Sequence, residues 1–230
     1  MTFTARRKHK VEKVIIGNAT LFKGNCMAGL IDAADGQFSL AIVDPPYGLG
    51  KKITAGGTWS AKHAKANPQG FEWDVAPTFE YFHRLKRVTT NQIIWGANYF
   101  AMPPCRGFIV WDKGVLFGSG QTFAEGEYAW TSFDRNAKIT RVMPLMGFLC
   151  RGVEERIHPT QKPVSLYRWL LANYAIAGDT ILDTHMGSGS SVIACLDAGL
   201  AITAYEANQE YFDLACERIE RSQQQMKLAL

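Results

Sequence analysis

Short apolar runs ending in turn residues alternate along this chain with longer segments of helical periodicity, and that alternation restricts the fold more than any other feature. Residues 39–43, 91–95, 107–111, 127–130, 180–182 and 201–205 are rich in β-branched and aromatic side chains and read as strands. Helical spacing of apolar residues falls at about 26–33, 77–89, 164–175, 190–198 and 209–224, several of these between strands. A strand that feeds a helix and then a second strand returns parallel to the first, so the pattern predicts an α/β fold with a largely parallel sheet. With 230 residues and 47% hydrophobic content, the chain can bury one real core. Two stretches, 48–71 and 133–157, fit neither period and read as mobile or substrate-contacting loops.

Five cysteines (Cys26, Cys105, Cys150, Cys195, Cys216) form no C-x-x-C pair and are odd in number, which argues against a disulfide framework and a zinc site. No metal and a reducing, cytoplasmic setting are expected. The apolar run behind the basic N-terminus covers only residues 14–16, too short for a signal core or a membrane span. The net charge of +4 is unevenly placed. Residues 1–13 carry five basic and one acidic side chain, residues 45–71 carry Lys51, Lys52, Lys62 and Lys65 with no acid, and residues 135–156 carry five basic against two acidic, so the remainder is net acidic. Positive charge gathered in loop-like stretches suits a phosphate backbone, where Lys and Arg displace condensed counterions; solvated surface loops explain any one segment equally well.

Leu40-Ala41-Ile42-Val43 stops at Asp44-Pro45-Pro46-Tyr47. Two prolines cannot continue a sheet ladder, so the strand ends at Asp44 and the chain leaves in a rigid turn, where ligands of such sheets sit. The turn offers an acceptor carboxylate, the Pro45 carbonyl and the aromatic face of Tyr47. These parts suit a planar base bearing an NH₂ group: Asp44 and Pro45 each accept one amine hydrogen and aim the nitrogen lone pair at an electrophilic methyl, while Tyr47 stacks on the ring. A stiff turn with Tyr47 as a packing residue accounts for the tetrapeptide about as well when it is taken alone.

Toward the C-terminus, a strand ending at Asp183 runs into Thr184-His185-Met186-Gly187-Ser188-Gly189 and then an apolar helix. Gly187 and Gly189 let a ligand approach the backbone, the helix N-terminus favours an anionic group, and Glu206, ending the next strand, is placed to hold a ribose diol. A nicotinamide enzyme shares this much, but the third glycine of G-x-G-x-x-G is replaced by Val192.

Taken in order, Asp44-Pro45-Pro46-Tyr47, His158-Pro159-Thr160-Gln161-Lys162-Pro163 and 183–190 resemble the permuted, β-type amino-methyltransferases of DNA, in which the D-P-P-Y turn precedes the cofactor turn. The resemblance runs from about residue 21 to 219 and includes Ile109-Val110-Trp111-Asp112-Lys113 and Glu127-Tyr128-Ala129-Trp130. It implies a single Rossmann-like domain at 21–225 behind a basic arm at 1–20. The sheet would be mostly parallel with roughly seven strands and helices on both faces, 48–71 would contact DNA, and a short target-recognition segment would lie at about 133–157. It implies S-adenosylmethionine as cofactor, double-stranded DNA as partner with a homodimer as an option, and transfer to adenine N6 in the setting of restriction-modification. Cytosine N4 is the alternative, which a Ser in place of Asp44 would have favoured, so adenine N6 is preferred; an inactive DNA-binding member is a third reading.

Carried over residue by residue, Asp44, Pro45, Pro46 and Tyr47 would form the catalytic turn, with Asp44 also beside the cofactor. Asp183, Gly187 and Gly189 would surround the cofactor's methionine part, Glu206 would hold its ribose, and Thr160 and Lys162 would lie near it. Asn25 and Cys26 stand in the family's G-D-C segment, with Asn in place of Asp at the adenine contact. His185 stands where the family commonly has Phe beneath the cofactor, which introduces a titratable ring. Lys51, Lys52, Lys62 and Lys65 would meet DNA phosphates. Cys105 after Pro104 reads as structural, and His158 as a turn residue, since direct methyl transfer needs no base before attack.

Overall fold

The computed structural model describes residues 12–50, 74–114, 124–143, 154 and 156–228. Among them, nine strands form one sheet: β1 (Glu12–Ile16), β2 (Ala19–Lys23), β3 (Phe38–Val43), β4 (Thr89–Trp95), β5 (Phe108–Asp112), β6 (Gly126–Thr131), β7 (Lys138–Arg141), β8 (Thr180–Asp183) and β9 (Ala201–Glu206). Their spatial order is β1-β2-β9-β8-β3-β4-β6-β5-β7. Helices α1 (Cys26–Asp32) and α2 (Phe79–Val88) cover one face, and α3 (Val164–Tyr174), α4 (Ser190–Asp197) and α5 (Gln209–Leu228) the other. The predicted α/β fold is present, with the six expected strands and five expected helices displaced only at their ends.

The sheet exceeds the expected seven strands at both edges. At one, β1 pairs antiparallel with β2 around Gly17-Asn18, with Gly17 at φ 54°. A Gly-Asn pair between two apolar runs is a hairpin signal. Residues 12–20, assigned from sequence to a basic arm, therefore belong to the sheet; residues 1–11 lie outside the described residues. At the other edge, β7 pairs parallel with β5 inside the stretch read as a loop at 133–157. Only Thr140 of its four residues is buried, so no apolar alternation announces it.

Strands β2, β9, β8, β3 and β4 run parallel, and β6 lies antiparallel between β4 and β5. β3 is buried on both faces, which explains its unbroken apolar sequence. Leu40 and Ile42 pack with Leu166, Leu170 and Phe212 of one helical layer, while Ala41 and Val43 pack with Tyr81 and Leu85 of the other. Each Leu, Ile, Val or Phe among them contributes about 1.5–3 kcal/mol by leaving water.

β3 leads through α2 to β4 on one side, whereas β8 leads through α4 to β9 on the other. The chain thus changes direction between β3 and β8, and a crevice opens beyond their carboxyl ends. The carboxyl ends of β3, β4, β5, β8 and β9 and the amino end of β6 share this edge. Among the described residues no helix is long and apolar enough to cross a membrane, and no group of His, Cys, Asp or Glu is arranged to hold a metal ion.

Candidate active site

The crevice is a cavity of about 820 Å³, within the range of small-molecule sites. Asp44, Pro45, Pro46 and Tyr47 line one part, and Asn25, Cys26, His185, Gly187 and Glu206 another. Two turns far apart in sequence therefore open into one space, as the parallel β3 and β8 require.

At the end of β3, each oxygen of the Asp44 carboxylate accepts a hydrogen bond. Tyr47 donates its hydroxyl to Oδ1 at 2.6 Å, and Lys162 places Nζ 2.6 Å from Oδ2 and 3.4 Å from the Tyr47 oxygen. Burial, then the Asp44 and Glu127 charges, push the Tyr47 phenol well above its ordinary range, so it stays a donor. Tyr99, on the short 3₁₀ turn after β4, stacks on Tyr47 with centroids 4.9 Å apart. Gly96, at φ 65°, admits that ring: a Cβ there would meet Tyr47 Cε1 at 2.0 Å.

Lys162 extends the cluster in a direction the sequence did not indicate. Its Nζ is also 3.0 Å from Glu127 Oε2, and Lys113 Nζ lies 2.9 Å from Glu127 Oε1. Four alternating charges, Asp44, Lys162, Glu127 and Lys113, thus run from β3 to the β5–β6 edge. Desolvation raises the Glu127 carboxyl, but Lys162 and Lys113 outweigh it and hold the pKa at about 2. For Lys162, burial works against the charge and the two carboxylates overcome it, leaving the ammonium above its ordinary pKa. Glu127 and Lys113 lie in segments the resemblance included, yet nothing local marked either side chain as part of the site. Asp74, also unforeseen, is buried and accepts the N–H groups of Gly48 at 3.1 Å and Gly50 at 2.6 Å, fastening the chain just after the Asp44–Tyr47 turn.

The other half is built on β8, β9 and α4. Glu206 accepts Gly187 N–H at Oε2 (3.1 Å) and Asn208 N–H at Oε1 (2.8 Å), and lines the cavity. His185 is held neutral by desolvation, which lowers its pKa to about 4, and its Nδ1 lies 2.9 Å from the Thr184 hydroxyl. Asp183 supports the turn from beneath: it accepts His185 N–H at 3.0 Å and the Ser191 hydroxyl at 2.5 Å, and is not among the cavity-lining residues. Burial drives its pKa to about 7 against those two hydrogen bonds. Gly187 faces the cavity, but Gly189 faces α5, where a Cβ would meet Ile219 Cδ1 at 2.8 Å. Of the two glycines read as ligand-approach positions, one thus serves helix packing.

Asn25 caps α1, its Oδ1 accepting Met27 N–H at 2.8 Å. Cys26 is a buried wall residue whose thiol is pushed up to about 12, chiefly by desolvation. Thr160 is exposed at the rim with its hydroxyl 3.2 Å from His158 Nδ1, and the His158 carbonyl accepts Gln161 N–H at 3.2 Å, as a turn residue does. Half-buried Cys105 lies 3.8 Å from the Tyr128 hydroxyl, away from the cavity lining. Lys51, Lys52, Lys62 and Lys65 fall outside the described residues.

A model of a family described as DNA methylase, covering N6 and N4 methyltransferases, matches residues 107–217, just under half of the chain. The match contains 158–163 and 183–190 and leaves 44–47 outside. Type II methyltransferase M.HpaI of Haemophilus parainfluenzae is 35% identical over 63 residues; these cover 27% of this chain, which spans only 20% of that protein's length. The solved M1.HpyAVI–SAM complex superimposes with a TM-score of 0.58 at 18% identity, covering 87% of this chain and 99% of that one. PvuII DNA methyltransferase, cytosine-N4-specific, gives a TM-score of 0.58 at 12% identity over 90% of each chain. At these identities the structural likeness is one of fold.

Proposed function

We propose that this chain, whose residues 107–217 match the N6/N4 DNA methylase family model, transfers a methyl group from S-adenosylmethionine to the exocyclic N6 amine of an adenine turned out of double-stranded DNA. One observation carries the reading: the Asp44–Tyr47 turn and the Gly187–Glu206 wall open into a single cavity at the β3–β8 switch. The donor set fits the cofactor. Glu206 offers charged acceptors suited to a ribose diol, Gly187 leaves backbone open beside it, and His185, neutral and edge-on to Tyr81 with centroids 5.6 Å apart, supplies a flat, uncharged wall. When bound, S-adenosylmethionine supplies an electrophilic methyl on a sulfonium.

The remaining work falls to this chain's own residues. An Asp44 oxygen and the Pro45 carbonyl accept the two amine hydrogens, draw the nitrogen lone pair out of conjugation and orient it toward the methyl. No proton need leave before attack. The nitrogen becomes acidic once it carries the new methyl, and Asp44 is placed to take the proton. Tyr47, braced by Tyr99, fixes the carboxylate through its hydroxyl. Lys51, Lys52, Lys62 and Lys65, following directly in sequence, serve as phosphate contacts that position the duplex without reading bases.

The test is direct. Incubation with unmethylated genomic DNA and labelled cofactor, followed by mass spectrometry of the nucleosides, should yield N6-methyladenine. N4-methylcytosine would transfer the assignment to the cytosine reading, whose clamp is the same, and cofactor binding without transfer to any DNA would make the chain an inactive member.

A further inference from the structure

Lys162 Nζ already sits 2.6 Å from Asp44 Oδ2, so a base amine that docks on that oxygen competes with the ammonium for it. Lys162 is 5% exposed, so an ammonium released without a new acceptor would be a buried bare charge, at a cost of several kcal/mol. The structure holds such an acceptor. Glu127 Oε2 is buried and 3.0 Å from Nζ, so the ammonium already lies between this carboxylate and that of Asp44, with Tyr47 beside it. Lys113 holds the other oxygen, Oε1, at 2.9 Å and fixes the carboxylate in place, and the rings of Trp95 and Tyr47 flank Lys162 at 5.4 and 5.9 Å. With Nζ 2.6 Å from Asp44 Oδ2 and 3.0 Å from Glu127 Oε2, the ammonium can shift its weight from one acceptor to the other without a long movement.

We propose that Glu127 is a positioning residue for methyl transfer: it takes over the Lys162 ammonium as the base amine docks, freeing Asp44 Oδ2 while Lys113 holds Glu127 still. This rests on the reading of Asp44 as the amine acceptor. Glu127 acts through Lys162, so its removal should show in turnover and leave cofactor affinity alone. It also makes the β5–β6 edge part of the transfer apparatus.

The experiment is a double-mutant cycle on the full chain with E127Q, K162Q and the pair, read as single-turnover methyl transfer to DNA, with S-adenosylmethionine affinity and melting curves for each variant. E127Q should lower the transfer rate about tenfold or more, because an amide receives the ammonium poorly, while cofactor affinity stays within about twofold. In the K162Q background, where no ammonium needs a new place, adding E127Q should change the rate by less than about twofold. E127D, which keeps the charge, should recover part of the loss. Fold-losses that multiply across the cycle, an E127Q rate equal to wild type, or a rate loss matched by lost cofactor affinity or lost cooperative melting would each overturn the proposal. A wild-type chain that transfers no methyl to any DNA would overturn the functional reading and this inference with it, whereas an active wild type with an indifferent Glu127 overturns the inference alone.

Discussion

Lys162 places its ammonium 2.6 Å from Asp44 Oδ2, although 118 residues separate the two in the chain. The resemblance put Lys162 near the cofactor. Among the protein's own groups it contacts Asp44, Tyr47 and Glu127, which ties the 158–163 turn to the Asp44–Tyr47 turn. Asp44 is then the point at which the β3 turn and the turn before α3 meet on one carboxylate.

Asp44→Ala is expected to lower the transfer rate by about two to three orders of magnitude while leaving cofactor affinity largely intact, since the carboxylate serves the transition state more than the ground state. Asp44→Asn should keep measurable activity because its amide oxygen still accepts. Single-turnover rates and calorimetric titrations separate the two effects, and full turnover in the Ala variant would remove the clamp.

Glu206→Ala should weaken S-adenosylmethionine binding by about 1–3 kcal/mol, the worth of hydrogen bonds to a charged acceptor. The substitution also strips Gly187 N–H of its acceptor, so loosening of the glycine turn adds to the loss. An unchanged dissociation constant would take Glu206 out of the cofactor site.

Elements marked by a local signal were legible in the sequence, and those marked only by tertiary pairing were not. β3 announced itself by an apolar run stopped at Pro45, and the β8–α4 turn by its glycines. β7 is four residues with one buried side chain, so it exists through its pairing with β5 and left no periodic trace. In the site, Asp44 and Glu206 were readable because a carboxylate at a strand's carboxyl end is a recognisable placement. Glu127 begins an antiparallel strand and Lys113 follows β5, and neither reaches the cavity edge until β6 is known to run opposite to its neighbours. Gly189 shows the converse: its motif was plain, but whether it faced ligand or α5 was decided by where Ile219 packs.

His185 gives a stability slope on the acid side. Its folded pKa is about 4 against an ordinary 6.5, so the unfolded chain binds a proton that the folded chain refuses. That stability is complete above about pH 6.5 and is lost as pH falls toward 4. His185→Phe, which keeps a flat ring, should flatten the decline and gain about 1–3 kcal/mol relative to wild type at pH 4–5, read from urea melts across pH. Identical pH dependence in the two proteins would mean the ring is not desolvated.

Asp183 slopes the opposite way. With a folded pKa of about 7 against an ordinary 3.8, the folded state holds a proton that the unfolded chain has released, so stability falls as pH rises from about 4 to 7 and then levels. Asp183→Asn cannot ionise and should remove this decline, making the variant more stable than wild type by about 2–4 kcal/mol at pH 8 provided its amide still bonds Ser191 and the His185 N–H. A variant less stable at pH 8 would show that those two bonds outweigh the cost of the buried charge.

The final prediction separates positioning of the base-facing turn from grip on DNA. Asp74 is 7% exposed and accepts N–H groups from Gly48 and Gly50, both at positive φ, so Asp74→Ala leaves two donors near the end of the Asp44–Tyr47 turn without their acceptor. Each unsatisfied donor costs about 1–3 kcal/mol if it stays buried, and the chain relieves that cost by shifting the turn, which misplaces Asp44 relative to the methyl. The transfer rate should therefore fall while duplex affinity and its salt dependence stay as in wild type. Replacing Lys51, Lys52, Lys62 and Lys65 with alanine should do the reverse. Each lost phosphate contact reduces the slope of log affinity against log salt by about 0.9, and binding weakens about equally for all DNA sequences, because lysine on phosphate reads no base. Affinity measured at several salt concentrations, with single-turnover rates at saturating DNA, distinguishes the two. A steep slope surviving the fourfold lysine change would place the DNA contacts elsewhere, and an Asp74→Ala protein with the wild-type rate would show that the Asp44 turn holds its shape without that clasp.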